Sequence, residues 1–236
     1  MLNVIAEKLR LDRFSTFNYT SFYEDYISLC DYEYGRTRPR ERRMITSDDI
    51  FDYMFRQREY NNEIDYNREK LYDEYKELKA ESHGFRMRSL AGDKIEKMAF
   101  INSRSHSKSD FVRKHLQKNI RTHSNGESSI LFFSENMSEN GLYLLDEPEN
   151  SLSPDTQLQL VRFLEEQVRF FKCQLIIATH SPFILSMKGA KIYNVDSEEV
   201  EVSRWTELPN VRAYYDFFME KKSEFEKNIA HNGEIK

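Results

Sequence analysis

Gly141-Leu142-Tyr143-Leu144-Leu145-Asp146-Glu147-Pro148-Glu149 runs from a short apolar segment straight into adjacent acids. A helical stretch follows from about Pro154 to Phe171, then a second apolar run, Leu175-Ile176-Ile177-Ala178, which ends in Thr179-His180-Ser181-Pro182. Apolar runs of four or five residues joined by a helix suit parallel strands covered on both faces, so the rhythm is strand-helix-strand and the class is α/β. In such sheets ligands bind beyond the carboxyl ends of the strands, which is where Asp146, Glu147 and His180 fall. Burying two adjacent carboxylates without a use is costly. One of them can hold a Mg²⁺ ion or its water while its neighbour orients and polarises an attacking water. The ordinary alternative, a surface turn with two acids, is weakened by the histidine placed at the same sheet edge.

The 236 residues and 28.4 kDa suffice for one ordinary domain, or for a core with one sizeable insertion. Aromatic residues make up 14% of the chain, ample packing material that argues against intrinsic disorder. The 35 basic and 40 acidic residues leave a net charge of −5, too balanced for a dedicated nucleic-acid coat, although a local basic patch stays open. Cys30 and Cys173 are the only cysteines, and neither a disulfide framework nor a zinc site follows from them. With no apolar leader and no window near the ~20 apolar residues of a membrane span, a cytoplasmic protein without a membrane partner is expected.

Leu2, Ile5, Ala6 and Leu9 fall at i, i+3, i+4 and i+7, an amphipathic helix that begins at Met1 with no capping residue before it. From Phe14 to Tyr34 aromatics and acids alternate without a clear period. Arg36, Arg38, Arg40, Arg42 and Arg43 cluster around Pro39 as an exposed loop, better read as a solvated turn than as a nucleic-acid contact. Met44-Ile45-Thr46 is a short apolar run, and Ser47-Asp48-Asp49 is placed to cap the long charged helix that follows. That helix runs from Ile50 to roughly Ala80, with Ile64, Leu71, Tyr75 and Leu78 on one stripe and Gly84 as its end. A second polar helix, Asp93 to Arg121, carries Arg104, Lys108, Arg113, Lys114, Lys118 and Arg121, whose ordinary reading is a solvated face and which is also compatible with a clamp closing on DNA or a partner protein. Ile192–Val195 and Val200–Ser203 read as short strands, and Val211 to Lys227 as a closing helix.

Leu144-Leu145-Asp146-Glu147-Pro148-Glu149, Asn150-Ser151-Leu152-Ser153-Pro154 and Ala178-Thr179-His180-Ser181-Pro182 resemble, in order and spacing, the Walker B segment, D-loop and switch histidine of ABC-type ATPases. Ser124-Asn125-Gly126-Glu127-Ser128 opens an apolar helix and resembles the signature loop of that superfamily, with Asn125 and Glu127 departing from the usual Ser-Gly-Gly-Gln. A glycine at a helix N-terminus lets backbone N–H groups approach a phosphate where the helix dipole favours negative charge. The chain is similar in particular to small bacterial ATPases of the SMC-like, non-transporter branch, grouped with the AAA family, and the similarity is concentrated in its last half.

The resemblance implies an α/β P-loop NTPase core of the ABC kind: a mostly parallel sheet with a helical subdomain inserted. The core would comprise residues 1–47 and 124–236, and the subdomain 48–123. It implies ATP and Mg²⁺ as ligands, with Asp146 on the metal, Glu147 as general base, and His180 on the γ-phosphate and attacking water. For His180 the competing reading is a hydrogen-bonded core histidine. Ser124, Asn125, Gly126 and Glu127 would form the signature loop against the nucleotide of a second subunit, and Ser151 and Ser153 would lie at the joint of a head-to-tail homodimer. Where the family has its Q-loop glutamine this chain has Ser47-Asp48-Asp49, so Asp48 stands in near the metal or else caps the helix.

No G-x-x-x-x-G-K-[ST] occurs anywhere in the chain, so the backbone cradle and lysine that grip phosphates are missing from it. Met1 to Ala6 resembles the helix that follows that loop in the family. The expectation is an ATPase truncated before the loop and its strand, which the family places between the Leu175–Ala178 and Ile192–Val195 strands. The alternative is a pseudo-ATPase acting as an interaction scaffold. The cycle would drive a switch in a nucleic-acid process or in defence, or gate a partner enzyme.

Overall fold

The computed structural model describes residues 1–16, 22–33, 35, 38–84, 125–197 and 199–226, with the backbone alone for 78–84 and 125. Ser124, Arg36, the side chain of Leu78 and the basic stretch from Arg104 to Arg121 lie outside the described residues. The chain divides into two compact units: Met1–Ile50 with Asn125–Lys236, and Phe51–Ser124.

The first unit is built on a four-stranded sheet of β1 (Asp12–Arg13), β2 (Glu41–Thr46), β3 (Gly141–Asp146) and β4 (Gln174–Ala178), in that order and all parallel. Its helices are α1 (Leu2–Leu9), α2 (Phe22–Leu29), the start of α3 (Ser47–Gly84), α4 (Asn125–Asn136), α5 (Pro154–Phe171), α6 (Pro182–Leu185) and α7 (Pro209–Glu220). β5 (Ile192–Asn194) and β6 (Glu201–Ser203) form a separate antiparallel pair. Among the described residues, no strand pairs with the outer edge of β4.

β3 is the spine of this sheet. Every residue from Gly141 to Leu145 is buried, as a central parallel strand requires. Alternate side chains serve opposite faces. Met44, Leu142 and Leu144 form a core with Ala6 and Leu11, against which Leu2, Ile5 and Leu9 of α1 pack, so the expected amphipathic stripe docks on the sheet. The Tyr143 ring fills the space a Cβ on Gly141 would take. Its hydroxyl accepts the Ser138 backbone N–H at 2.6 Å and donates to Glu41 at 3.1 Å.

The arginine cluster is not one exposed loop: Arg42 and Arg43 belong to β2, whose ladder with β3 fixes them. Arg43 pairs with Glu41 and Asn136, Arg40 with Glu139, and Arg42 donates to the Leu9 carbonyl. These guanidiniums have internal partners, so for Arg42 and Arg43 the strand replaces the expected solvated turn. α2 falls in the stretch without a clear period, and β1 lies just before it.

The second unit contains most of α3, from Phe51 onward. Met54, Asn61, Ile64 and Tyr75 are buried, spaced 7, 3 and 11 residues apart and hence on one helical stripe. The helix reaches Gly84, where the sequence places its end. Among the described residues no helix is long and apolar enough to cross a membrane.

Candidate functional site

The carboxyl ends of β2, β3 and β4 are level, with Thr46 in register with Asp146 and Asp146 with Ala178. Whatever follows these residues is gathered at one sheet edge. Three short sequences therefore meet there: Ser47-Asp48-Asp49, Glu147-Pro148-Glu149 and Thr179-His180-Ser181.

At the first, the expected cap is displaced by one residue. Thr46 Oγ1 accepts the Asp49 N–H at 3.4 Å, and Asp49 Oδ2 accepts the Thr46 N–H at 2.8 Å, the reciprocal pattern of a capping box. Asp49 is buried in this duty, whereas Asp48 stays exposed. Helix capping thus accounts for Asp49 and leaves Asp48 unexplained by it.

Asp146 is half-buried, and its carboxyl is pushed above the usual range, first by burial and then by Glu147, with Asp48 and Glu149 adding to the effect. Among the described residues no three Asp, Glu, His or Cys side chains stand close enough to hold a metal by themselves. A lone, partly desolvated carboxylate among like charges does fit Mg²⁺, which keeps several waters and is shared between one or two carboxylates and the phosphates of a substrate. Asp146, with Asp48 beside it, would hold the ion, which supplies neutralisation of phosphate charge.

Glu147 has φ 47°, in the left-handed region that a non-glycine residue seldom occupies. Its backbone N–H donates to the Ala178 carbonyl at 2.9 Å, which ties the end of β3 to that of β4. Asn150 Nδ2 donates to Glu147 Oε2 at 2.8 Å. The other oxygen, Oε1, stands 3.9 Å from His180 Nε2. The His180 side chain is 78% exposed, which removes the core-histidine reading. A carboxylate and an imidazole, both reachable from solvent at the end of a buried sheet, can accept a proton from a water and orient it.

Gly126 and Ser153, expected in a signature loop and a D-loop, both stand against Thr156 of α5. A Cβ on Gly126 would lie 2.5 Å from Thr156 Oγ1, and Thr156 Oγ1 is 2.9 Å from Ser153 Oγ. Gly126 is therefore required by close approach to α5. Ser153 is the N-cap of α5, accepting the Thr156 N–H, with Pro154 in the first turn. Ser151 is exposed with φ 63°. Asn125 begins α4, and Glu127 lies in its first turn.

Glu149 closes the Walker B-like segment, and the resemblance implies no role for it. It is buried, and its Oε1 accepts the Thr179 hydroxyl at 2.6 Å and the N–H groups of His180 and Ser181 at 2.9 and 3.1 Å. Asn210 Nδ2 donates to the His180 carbonyl at 3.2 Å. A third acid so soon after a buried strand was the available signal for Glu149; nothing near Asn210 in sequence marks it.

A family model of the AAA ATPase domain matches residues 3–185, from α1 through α6. The chain belongs to the AAA ATPase domain family. No curated protein and no solved structure matches it. For an AAA ATPase the general activity is ATP binding and hydrolysis with Mg²⁺, and the parallel sheet with its helices fits the α/β P-loop NTPase-like fold. The matched span contains Asp48, Asp146, Glu147 and His180.

Proposed function

We propose that the chain is the hydrolytic part of an ABC-type, SMC-like ATPase head, which binds and hydrolyses ATP in a head-to-tail homodimer to drive a conformational switch. The observation that carries the reading is the placement of Glu147 and His180, 3.9 Å apart, on adjacent parallel strands beside the half-buried Asp146. Glu147 takes the proton of the attacking water, His180 orients that water and the γ-phosphate, and Asp146 and Asp48 serve the Mg²⁺ of the nucleotide. Ser124, Asn125, Gly126, Glu127, Ser151 and Ser153 face the opposite subunit across the nucleotide. The switch works in a nucleic-acid process or in defence, the role that the SMC-like resemblance implies, in the cytoplasm.

The glycine-lysine loop that grips phosphates is supplied by polypeptide outside residues 1–236. Two features support this. The sequence contains no such loop, and β4 has Leu175, Ile176 and Ile177 half-exposed along an edge that no described strand pairs with. An unpaired parallel edge of this kind is a template for a further strand.

Titration calorimetry with Mg-ATP tests the reading. The 236-residue chain binds only weakly, and the polypeptide with the loop joined upstream binds tightly, because the loop makes most ground-state phosphate contacts. Micromolar binding by the 236 residues alone would contradict the assignment of the loop to a segment elsewhere.

A further inference from the structure

We infer that Glu149 is a positioning residue for His180, setting the switch turn that presents the imidazole to Glu147; this rests on the ATPase reading above. One carboxylate oxygen, Oε1, gathers three donors from three consecutive residues: the Thr179 hydroxyl and the backbone N–H groups of His180 and Ser181. The Thr179 hydroxyl in turn accepts the Ser181 N–H at 3.0 Å, which closes the turn on itself. Glu149 is 9% exposed, and its Oε2 has no hydrogen-bond partner. A buried carboxylate is costly unless its bonds are charge-assisted and convergent, and here they converge on the backbone that carries the histidine.

The turn is gripped on its far side as well. Asn210 holds the His180 carbonyl, and the Ser181 hydroxyl donates to Gln157 Oε1 at 2.7 Å, whose Nε2 donates to the Leu152 carbonyl at 3.0 Å. The backbone of His180 is fixed from both directions while its ring stands in solvent. That combination suits a side chain that must act on a substrate from a set position. Glu149 itself does not reach the reacting atoms; it sits one residue beyond Pro148, which is fully buried, on the loop that also carries Glu147. A single loop therefore places the carboxylate of Glu147 and, through Glu149, the histidine opposite it.

The test compares Glu149→Ala and Glu149→Gln in the full-length protein, by steady-state ATP turnover and by amide hydrogen exchange of His180 and Ser181. Alanine removes the acceptor, whereas the glutamine amide oxygen can still take all three donors. Glu149→Ala lowers kcat about tenfold or more, with KM for Mg-ATP within about twofold, and speeds exchange at both amides about tenfold; Glu149→Gln restores both to near wild type. Should Glu149→Ala fail to fold, Thr179→Val removes the shortest of the three bonds with little change in volume and lowers kcat about threefold at constant KM. Loss of kcat without faster exchange, a glutamine variant as impaired as alanine, or a Thr179→Val protein with unchanged kcat would overturn the proposal. A wild-type protein that hydrolyses no ATP contradicts the ATPase reading and the part of Glu149 in that reaction, and the exchange data then judge the contact by itself.

Discussion

Glu147 and His180 come from the ends of two adjacent parallel strands, β3 and β4, and their side chains stand 3.9 Å apart across the sheet edge. The backbone bond from Glu147 N–H to the Ala178 carbonyl, at 2.9 Å, ties the two strand ends together. Glu147 holds a left-handed φ of 47° there. For a residue other than glycine that conformation costs roughly 1–2 kcal/mol, and it persists only because its surroundings enforce it.

Glu147→Asn tests that strain, since asparagine occupies the left-handed region more readily than glutamate. The variant melts at or above the wild-type temperature while turnover is lost. Differential scanning calorimetry reads the first, and phosphate release the second. A loss of stability beyond about 1 kcal/mol would show that the backbone at this position is not strained.

Asp146 gives a pH signature. Its carboxyl is pushed upward in the folded chain by burial and by Glu147, so the ionised form is disfavoured by folding. Below the ordinary aspartate value of ~3.9 both folded and unfolded states are protonated and there is no cost; stability then falls as pH rises from that value through the raised folded one. Asp146→Asn removes the term. Its melting temperature exceeds that of the wild type by about 2 °C or more at pH 7 and converges with it toward pH 3. A variant destabilised at pH 7 would contradict the assignment of this carboxylate as an electrostatic burden on the free protein.

Gly126 is fixed by the neighbouring helix. Adding a methyl group places it 2.5 Å from Thr156 Oγ1 and 2.6 Å from Thr156 Cγ2. Gly126→Ala therefore costs about 1–3 kcal/mol, the range of overpacked sites. Combining it with Thr156→Ala clears the space and recovers most of the loss, which a double-mutant cycle of thermal melts measures. Additive effects would mean that Gly126 does not meet α5 as described.

How far the sequence led depends on how local each signal is. β3, α5 and β4 were legible because their apolar runs are continuous and their ends are marked by charge or histidine, and the all-parallel sheet follows from them. β1 escaped because two residues, Asp12 and Arg13, carry no period, and α2 because it buries none of its residues. The capping of α3 shifted by one position, since Ser47, Asp48 and Asp49 are all plausible caps by type and only the reciprocal bonds of Thr46 and Asp49 choose between the candidates. The contacts of Glu149 were hidden for a different reason. Its three donors lie 30 to 32 residues away, on a strand end that only the β3–β4 register brings to it.

The central claim is that Glu147 is the base that activates water for ATP hydrolysis. It is tested most directly by the turnover of Glu147→Gln beside the wild type, both joined to the proposed upstream loop and saturated with Mg-ATP. The amide keeps the size of the side chain but cannot accept the proton of the water, so kcat falls about 10²- to 10⁴-fold while Mg-ATP binding is retained. Hydrolysis by Glu147→Gln at the wild-type rate would contradict the account and place the base elsewhere.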